Sequence, residues 1–325
     1  MTTKHVPVTI LTGFLGSGKT TLLNRILKED HGHRIAVIEN EFGEEGVDND
    51  LLLQEREEQI VEMNNGCICC TVRGDLVRIL GELKERRDAG EVSFDRVIIE
   101  TTGLADPGPV AQTFFLDDEI ADAYLLDAVI TVVDAAHGER QLDEHREAQE
   151  QVGFADRILM SKVDVASPEA QDRLRHRLAR INPRAPIKPV HFGQADIGEI
   201  LDIRGFNLNA VLEIDPDFLK DDEHEHDDAV QSFVFRSNKP FDPTKLEDFL
   251  GGLIQVYGQD MLRYKGVLFM KGSDRQTVFQ GVHQMMGADA GRRWQAGEKP
   301  SSKMVFIGRN LPRDIFIKGL EQCLA

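Results

Sequence analysis

One short run near the N-terminus limits this chain more than any other feature. Gly13-Phe14-Leu15-Gly16-Ser17-Gly18-Lys19-Thr20 fits the pattern G-x-x-x-x-G-K-[ST] in full. An apolar segment precedes it and a helical pattern follows. Glycines at these spacings let backbone N–H groups turn inward and surround phosphate oxygens. Lys19 brings a point charge to the terminal phosphates. Thr20 offers a hydroxyl to Mg²⁺, and the N-terminus of the following helix favours an anion. Gly13, Gly16, Ser17, Gly18, Lys19, Thr20 and Thr21 are therefore the candidate phosphate-binding residues. Lys19 and Thr20 are also candidate catalytic residues.

Such a loop needs a strand before it and a helix after it, and the next two hundred residues repeat that rhythm. Val6 to Leu11, Ile35 to Glu39, Val97 to Glu100, Val129 to Val133 and Ile158 to Met160 are continuous apolar runs of strand length. Thr20 to Lys28, Asp75 to Arg87, Gly138 to Gln151 and Pro168 to Ile181 carry helical patterning. Apolar strands alternating with helices predict an α/β fold, a doubly wound and mainly parallel sheet of the P-loop NTPase type. Its ligand belongs at the C-terminal ends of the strands.

The pattern changes after residue 212. Glu213 to Asp228 holds nine acids, one lysine, and His224 and His226, and reads as an exposed acidic linker. From residue 229 onward a smaller α+β domain is expected. It has strands at Val230 to Phe235, Gly266 to Met270, Val278 to His283 and Met304 to Ile307, and helices at Pro243 to Val256 and Ile315 to Leu324. The expected division is thus 1–212, 213–228 and 229–325. The 325 residues carry 56 acids against 38 bases, a net charge of −18. Bulk attraction to nucleic acid or an anionic membrane is not expected. From Ala229 on, however, 14 bases face 9 acids, so the final domain is net positive at +5.

Two further elements suit the nucleotide reading. Val97-Ile-Ile-Glu100-Thr101-Thr102-Gly103 ends a buried strand on a carboxylate, where Glu100 can hold Mg²⁺ directly or through water. Glu100 joins Lys19 and Thr20 as a candidate catalytic residue. Gly103, three residues on, can offer its N–H to a γ-phosphate and lose that contact after hydrolysis. Ser161-Lys162-Val163-Asp164 resembles the Asn-Lys-x-Asp guanine-reading element, with Ser in place of Asn. Asp164 can accept hydrogen bonds from guanine N1–H and its amino group, and the Lys162 stem can pack along the base. A hydrogen-bonding site of this kind discriminates strongly against a base lacking the donors.

Three of the four cysteines lie together in Asn64-Asn65-Gly66-Cys67-Ile68-Cys69-Cys70. Neighbouring cysteines pair poorly with one another, so a reducing, cytoplasmic setting is expected. No apolar run approaches the roughly 20 residues that span a membrane. Thiolates are soft ligands suited to Zn²⁺ or Cu(I), and three can share one ion if the chain turns at Cys69. Glu39 and Glu44, which follow the second strand, are candidates for the remaining position. Buried structural cysteines or a redox switch are the other readings of this motif. The histidines of the acidic stretch can bind metal only loosely.

Taken together these motifs resemble the CobW-type metallochaperone GTPase family. The resemblance rests on Thr12 to Leu23, Glu39-Asn-Glu-Phe-Gly-Glu44, Asn65 to Cys70, Glu100-Thr-Thr-Gly-Leu-Ala-Asp-Pro107 and Ser161 to Asp164. In the C-terminal part it rests on Arg263-Tyr-Lys-Gly266, Phe279-Gln-Gly281 and Phe306-Ile-Gly308. It implies a GTPase core with a CobW C-terminal domain, slow GTP hydrolysis that depends on Mg²⁺, GTP and GDP as ligands, and binding of zinc or another transition metal. It implies that Cys67, Cys69, Cys70, Glu39 and Glu44 hold that metal for an unknown client metalloprotein. The rival expectations are a P-loop ATPase or small-molecule kinase, and a zinc sensor or store without enzymatic activity.

Overall fold

The computed structural model describes residues 5–39, 60–62, 72–191, 193, 196, 200–205, 228–295 and 297–325. The chain folds into two compact units. The first comprises 1–151, 155–175 and 186–205; the second comprises 152–154, 176–185 and 206–325.

In the first unit the apolar runs form the expected parallel sheet. Its strands are β1 (Val6–Thr12), β2 (Ile35–Glu39), β3 (Ile60–Glu62), β4 (Arg96–Glu100), β5 (Tyr124–Asp134), β6 (Arg157–Ser161) and β7 (Ile187–Pro189). They lie in the order β3-β2-β4-β1-β5-β6-β7, and every pairing is parallel. β1 is central, with β4 and β5 on its two sides. Every residue of β2 and β4 is buried, as expected for strands covered on both faces. One of these faces packs Leu11, Val37, Ile98, Ile130 and Leu159 against Leu22, Leu23 and Ile26 of α1 (Lys19–Lys28).

The other helices of this region are α2 (Val72–Asp88), α3 (Pro107–Leu116), α4 (Asp118–Ala123), α5 (Gly138–Glu144), α6 (Arg146–Phe154) and α7 (Pro168–Ile181). Helix α3 does not stand out by periodicity. Its signal is local: Asp106 caps it, accepting from Gly108 N at 2.8 Å, and Pro107 opens it. The single helix expected over Gly138 to Gln151 is two helices. The chain breaks at His145, which has extended backbone angles of −133° and 114°. The break brings the His145 ring onto Phe14, with centroids 4.5 Å apart.

The second unit holds an antiparallel sheet of β8 (Val230–Ser237), β9 (Met261–Phe269), β10 (Arg275–Val282), β11 (Met285–Arg293) and β12 (Ser302–Arg309), in the order β11-β10-β9-β12-β8. Helices α8 (Pro243–Tyr257) and α9 (Arg313–Gln322) cover one face. Phe233, Phe241, Leu250, Tyr264, Phe306, Phe316 and Leu320 fill the space between them. Of the acidic stretch only Asp228 is described. It is buried, not exposed as a linker residue would be, and Arg177 holds it with Nη2–Oδ1 at 2.7 Å and Nε–Oδ2 at 3.2 Å. Among the described residues no helix is long and apolar enough to cross a membrane.

Candidate nucleotide and metal site

The order of strands decides which side chains can meet. The glycine-rich loop leaves the C-terminal end of β1, and β4, its neighbour, ends on Glu100. Thr20 Oγ1 donates to Glu100 Oε1 at 3.0 Å. A hydroxyl and a carboxylate so close supply the hard oxygen donors that Mg²⁺ prefers. These two residues, 80 positions apart in sequence, were expected at one ion and are adjacent in space.

The loop itself needs its glycines. Gly13, Gly16 and Gly18 have φ of 142°, 71° and 102°. At Gly13 a Cβ would collide with the Val132 carbonyl and lie 2.8 Å from Ser17 Oγ. Gly18 is the N-cap of α1 and offers no side chain there, so the helix N-terminus is left open to an anion. Lys19 is buried, and its Nζ donates to Gly13 O at 2.8 Å and Phe14 O at 3.4 Å. Burial pushes the ammonium pKa down, against an opposing pull from the Glu100 carboxylate. The hydroxyl of Ser17 is buried without a hydrogen-bond partner among the described residues.

Beyond Glu100 the chain is drawn across the loop. Thr101 N donates to Leu11 O at 2.9 Å and Thr101 Oγ1 to Thr12 Oγ1 at 2.8 Å. Gly103 then lies against the loop so closely that a Cβ would be 2.6 Å from Leu15 N and 2.8 Å from Leu15 Cα. Only glycine fits there.

On the other side of β1, strands β5 and β6 end in register at Asp134 and Ser161. Ser161 Oγ donates to Ser17 O at 2.6 Å, tying the Ser161–Asp164 segment to the glycine-rich loop. Lys162 sits in the left-handed region at φ 54°, and its Nζ donates to Asp134 Oδ2 at 2.8 Å. Asp164 is exposed. Asp134 carries no motif that would mark it in the sequence. Its carboxylate also accepts from Ala136 N at 2.8 Å and His137 N at 3.1 Å, and meets His137 Nδ1 at 2.9 Å. Burial pushes its pKa up, but the bonds from Lys162, His137 and Ala136 outweigh that and hold it below the ordinary carboxylate value. Gly193 is equally unmarked in the sequence. It lies behind α1, where a Cβ would be 3.0 Å from Thr21 O.

Of the expected transition-metal ligands, Glu39 alone is described; Glu44, Cys67, Cys69 and Cys70 lie outside the described residues, as do His224 and His226. Glu39 ends β2, is buried, and pairs in register with Glu100 on β4 and with Glu62 on β3. The strand that precedes the cysteines in sequence is β3, and β2 lies between it and β4, which carries Glu100. Among the described residues no group of three or more potential ligands could hold a metal ion.

Comparison with known proteins agrees with this layout. The family model described as "CobW/HypB/UreG, nucleotide-binding domain" matches residues 7–189, and "Cobalamin synthesis protein cobW C-terminal domain" matches residues 230–324. The chain is 46% identical over 310 residues to the zinc chaperone YjiA of Escherichia coli, covering 95% of this chain and 96% of that one. It is 35% identical to the zinc chaperone CobW of Pseudomonas aeruginosa, covering 100% of this chain and 93% of that one. The fold superposes on the crystal structure of Zn(II)-bound YjiA GTPase from E. coli with a TM-score of 0.83 at 38% identity, covering 99% of this chain and 100% of that chain.

Proposed function

This chain belongs to the CobW/HypB/UreG family, and on that premise we propose that it is a GTPase whose nucleotide state governs the holding and transfer of zinc to a client metalloprotein. The observation that carries the reading is the register pair Glu39 and Glu100. One carboxylate is a zinc-ligand candidate and the other a Mg²⁺ candidate, and they close adjacent strands.

In this reading Thr20 and Glu100 hold Mg²⁺, which when bound offsets the charge of the β- and γ-phosphate oxygens. Lys19 exchanges its loop carbonyls for phosphate oxygens, a stronger partner for a partly buried ammonium. Backbone N–H groups from Gly13 to Thr21 surround the phosphates. Gly103 reports the γ-phosphate, and Asp164 reads guanine while Asp134 steadies the Lys162 stem. Cys67, Cys69 and Cys70, with Glu39 and Glu44, hold zinc as cargo. Three clustered thiols suit the reducing cytoplasm.

The test joins nucleotide competition to metal binding. GDP should displace a fluorescent guanine nucleotide far better than ADP, phosphate should be released from GTP, and the Cys69→Ser, Cys70→Ser double variant should lose tight zinc binding. Equal competition by ADP points instead to an ATPase or kinase. Zinc binding without phosphate release leaves only a store.

A further inference from the structure

Gln151 on α6 is buried, and its side-chain amide donates to two carbonyls of the loop after β4. Nε2 lies 3.1 Å from Gly103 O and 3.1 Å from Ala105 O. Two carbonyl oxygens fix the way the amide faces, because its own oxygen in that place would oppose both. Oε1 is buried without a hydrogen-bond partner among the described residues. A buried acceptor in that condition is destabilising, so the donor end is what makes this side chain useful here.

The residue is also well braced. Its main-chain carbonyl accepts from Thr131 Oγ1 at 2.7 Å, which ties α6 to β5. The chain after β4 is thus held twice, by the bonds from Thr101 to β1 and by those from Gln151 of α6 to Gly103 and Ala105. Helix α6 is tied to β5 here, so movement of the loop away from α6 would break the Gln151 pair.

We propose that Gln151 is a positioning residue for the nucleotide switch, holding Gly103 against the phosphate loop and thereby favouring the triphosphate-bound state over the diphosphate-bound state. The proposal rests on the reading of Gly103 as the γ-phosphate reporter. Gln151 touches no nucleotide; it acts through the two carbonyls.

The experiment is a pair of binding measurements on the full chain, using GDP and a non-hydrolysable GTP analogue with Mg²⁺. In Gln151→Leu, which removes both donors at similar size, the analogue should bind on the order of tenfold more weakly. GDP affinity should stay within about twofold, and circular dichroism should match wild type. Equal losses for both nucleotides mean a merely structural residue. No change, or tighter analogue binding, overturns the proposal. If Gln151→Leu does not fold, Gln151→Asn, too short to reach both carbonyls, should show the same selective loss in milder form. A wild-type chain that binds no guanine nucleotide defeats the functional reading itself. Normal wild-type selectivity with an unchanged variant defeats this inference alone.

Discussion

Lys19 brings a positive charge to a buried position where the loop offers only carbonyl oxygens. Those oxygens hold the ammonium in place but do not neutralise it, and burial pushes its pKa down. In the proposed function phosphate supplies a negative charge in addition to the Glu100 carboxylate. Lys19→Ala should therefore leave the fold intact by circular dichroism and reduce phosphate release to near background, a loss of roughly two orders of magnitude or more from about 2.7–4 kcal/mol of electrostatic stabilisation. Wild-type turnover in the folded variant would defeat the assignment. Asp164, which is exposed, makes a separate prediction because its proposed role concerns the base alone. Asp164→Asn should weaken GTP by about 1.5–3 kcal/mol while leaving xanthosine triphosphate less affected, as read by competition. Asp134 adds a pH dependence. Its carboxyl is held below the ordinary value, so the stability it contributes is fully present above the usual carboxylate range, near pH ~4. That contribution is lost as pH falls through the depressed native value. Acid titration of stability should thus be shallower in Asp134→Asn than in wild type, by roughly 1 kcal/mol after allowance for the half-exposed Lys162. Much of the proposed site was legible in the residues: the glycine run, Lys19, Thr20, Glu100 and Asp164 suggest their proposed chemistry by type and spacing. Asp134 and Gln151 do not, because an Asp ending a strand and a Gln within a helix acquire their contacts, and the roles proposed for them, only from what the fold sets opposite them.

At the scale of elements, strand order does most of the positioning. Placing β1 between β4 and β5 sets the loop beside Glu100 on one side and beside the Asp134–Ser161 pair on the other. The strands were legible because a parallel sheet buried on both faces demands continuous apolar runs, and five such runs are present between Val6 and Met160. The order was not, since any buried strand satisfies the same pattern. Helix α3 escaped because it is apolar nearly throughout, leaving no periodic face, although the Asp106-Pro107 cap marks its start. The break between α5 and α6 escaped for the opposite reason: helical spacing continues across His145, and the stacking on Phe14 that accompanies the break is a long-range contact. The link from β6 to the phosphate loop makes its own prediction. Ser161 Oγ bonds Ser17 O at 2.6 Å, and Ser17 belongs to the loop that all nucleotides share. Ser161→Ala should cost about 1 kcal/mol of stability by chemical denaturation. It should weaken GTP and GDP equally. A loss confined to GTP would mean that Ser161 reads the γ-phosphate side and not the loop.

For the whole molecule the question is whether metal and nucleotide feel one another. Glu39 and Glu100 are register partners on adjacent parallel strands, so their backbones lie about 4.8 Å apart across the ladder. Both are buried. A charge change at one is therefore felt at the other through a medium that screens poorly. If Glu100 holds Mg²⁺ as proposed, binding of the ion and a triphosphate there would change the field at Glu39. If Glu39 is a zinc ligand, zinc affinity must depend on nucleotide. Linkage then requires the reverse by the same factor: zinc must shift GTP affinity as much as GTP shifts zinc affinity. A coupling of about 1–3 kcal/mol would appear as a roughly 5- to 150-fold difference. Competitive zinc titration of the chain loaded with GDP, then with a non-hydrolysable GTP analogue, measures one side of the cycle. Nucleotide titration with and without zinc measures the other. Glu39→Gln should shrink both differences together, because it removes the charge through which the two sites communicate while leaving the thiolates. Equal zinc affinities in both nucleotide states would deprive a GTP-gated carrier of its gate. Unequal affinities that survive Glu39→Gln unchanged would move the coupling from the strand ends to the cysteine segment itself.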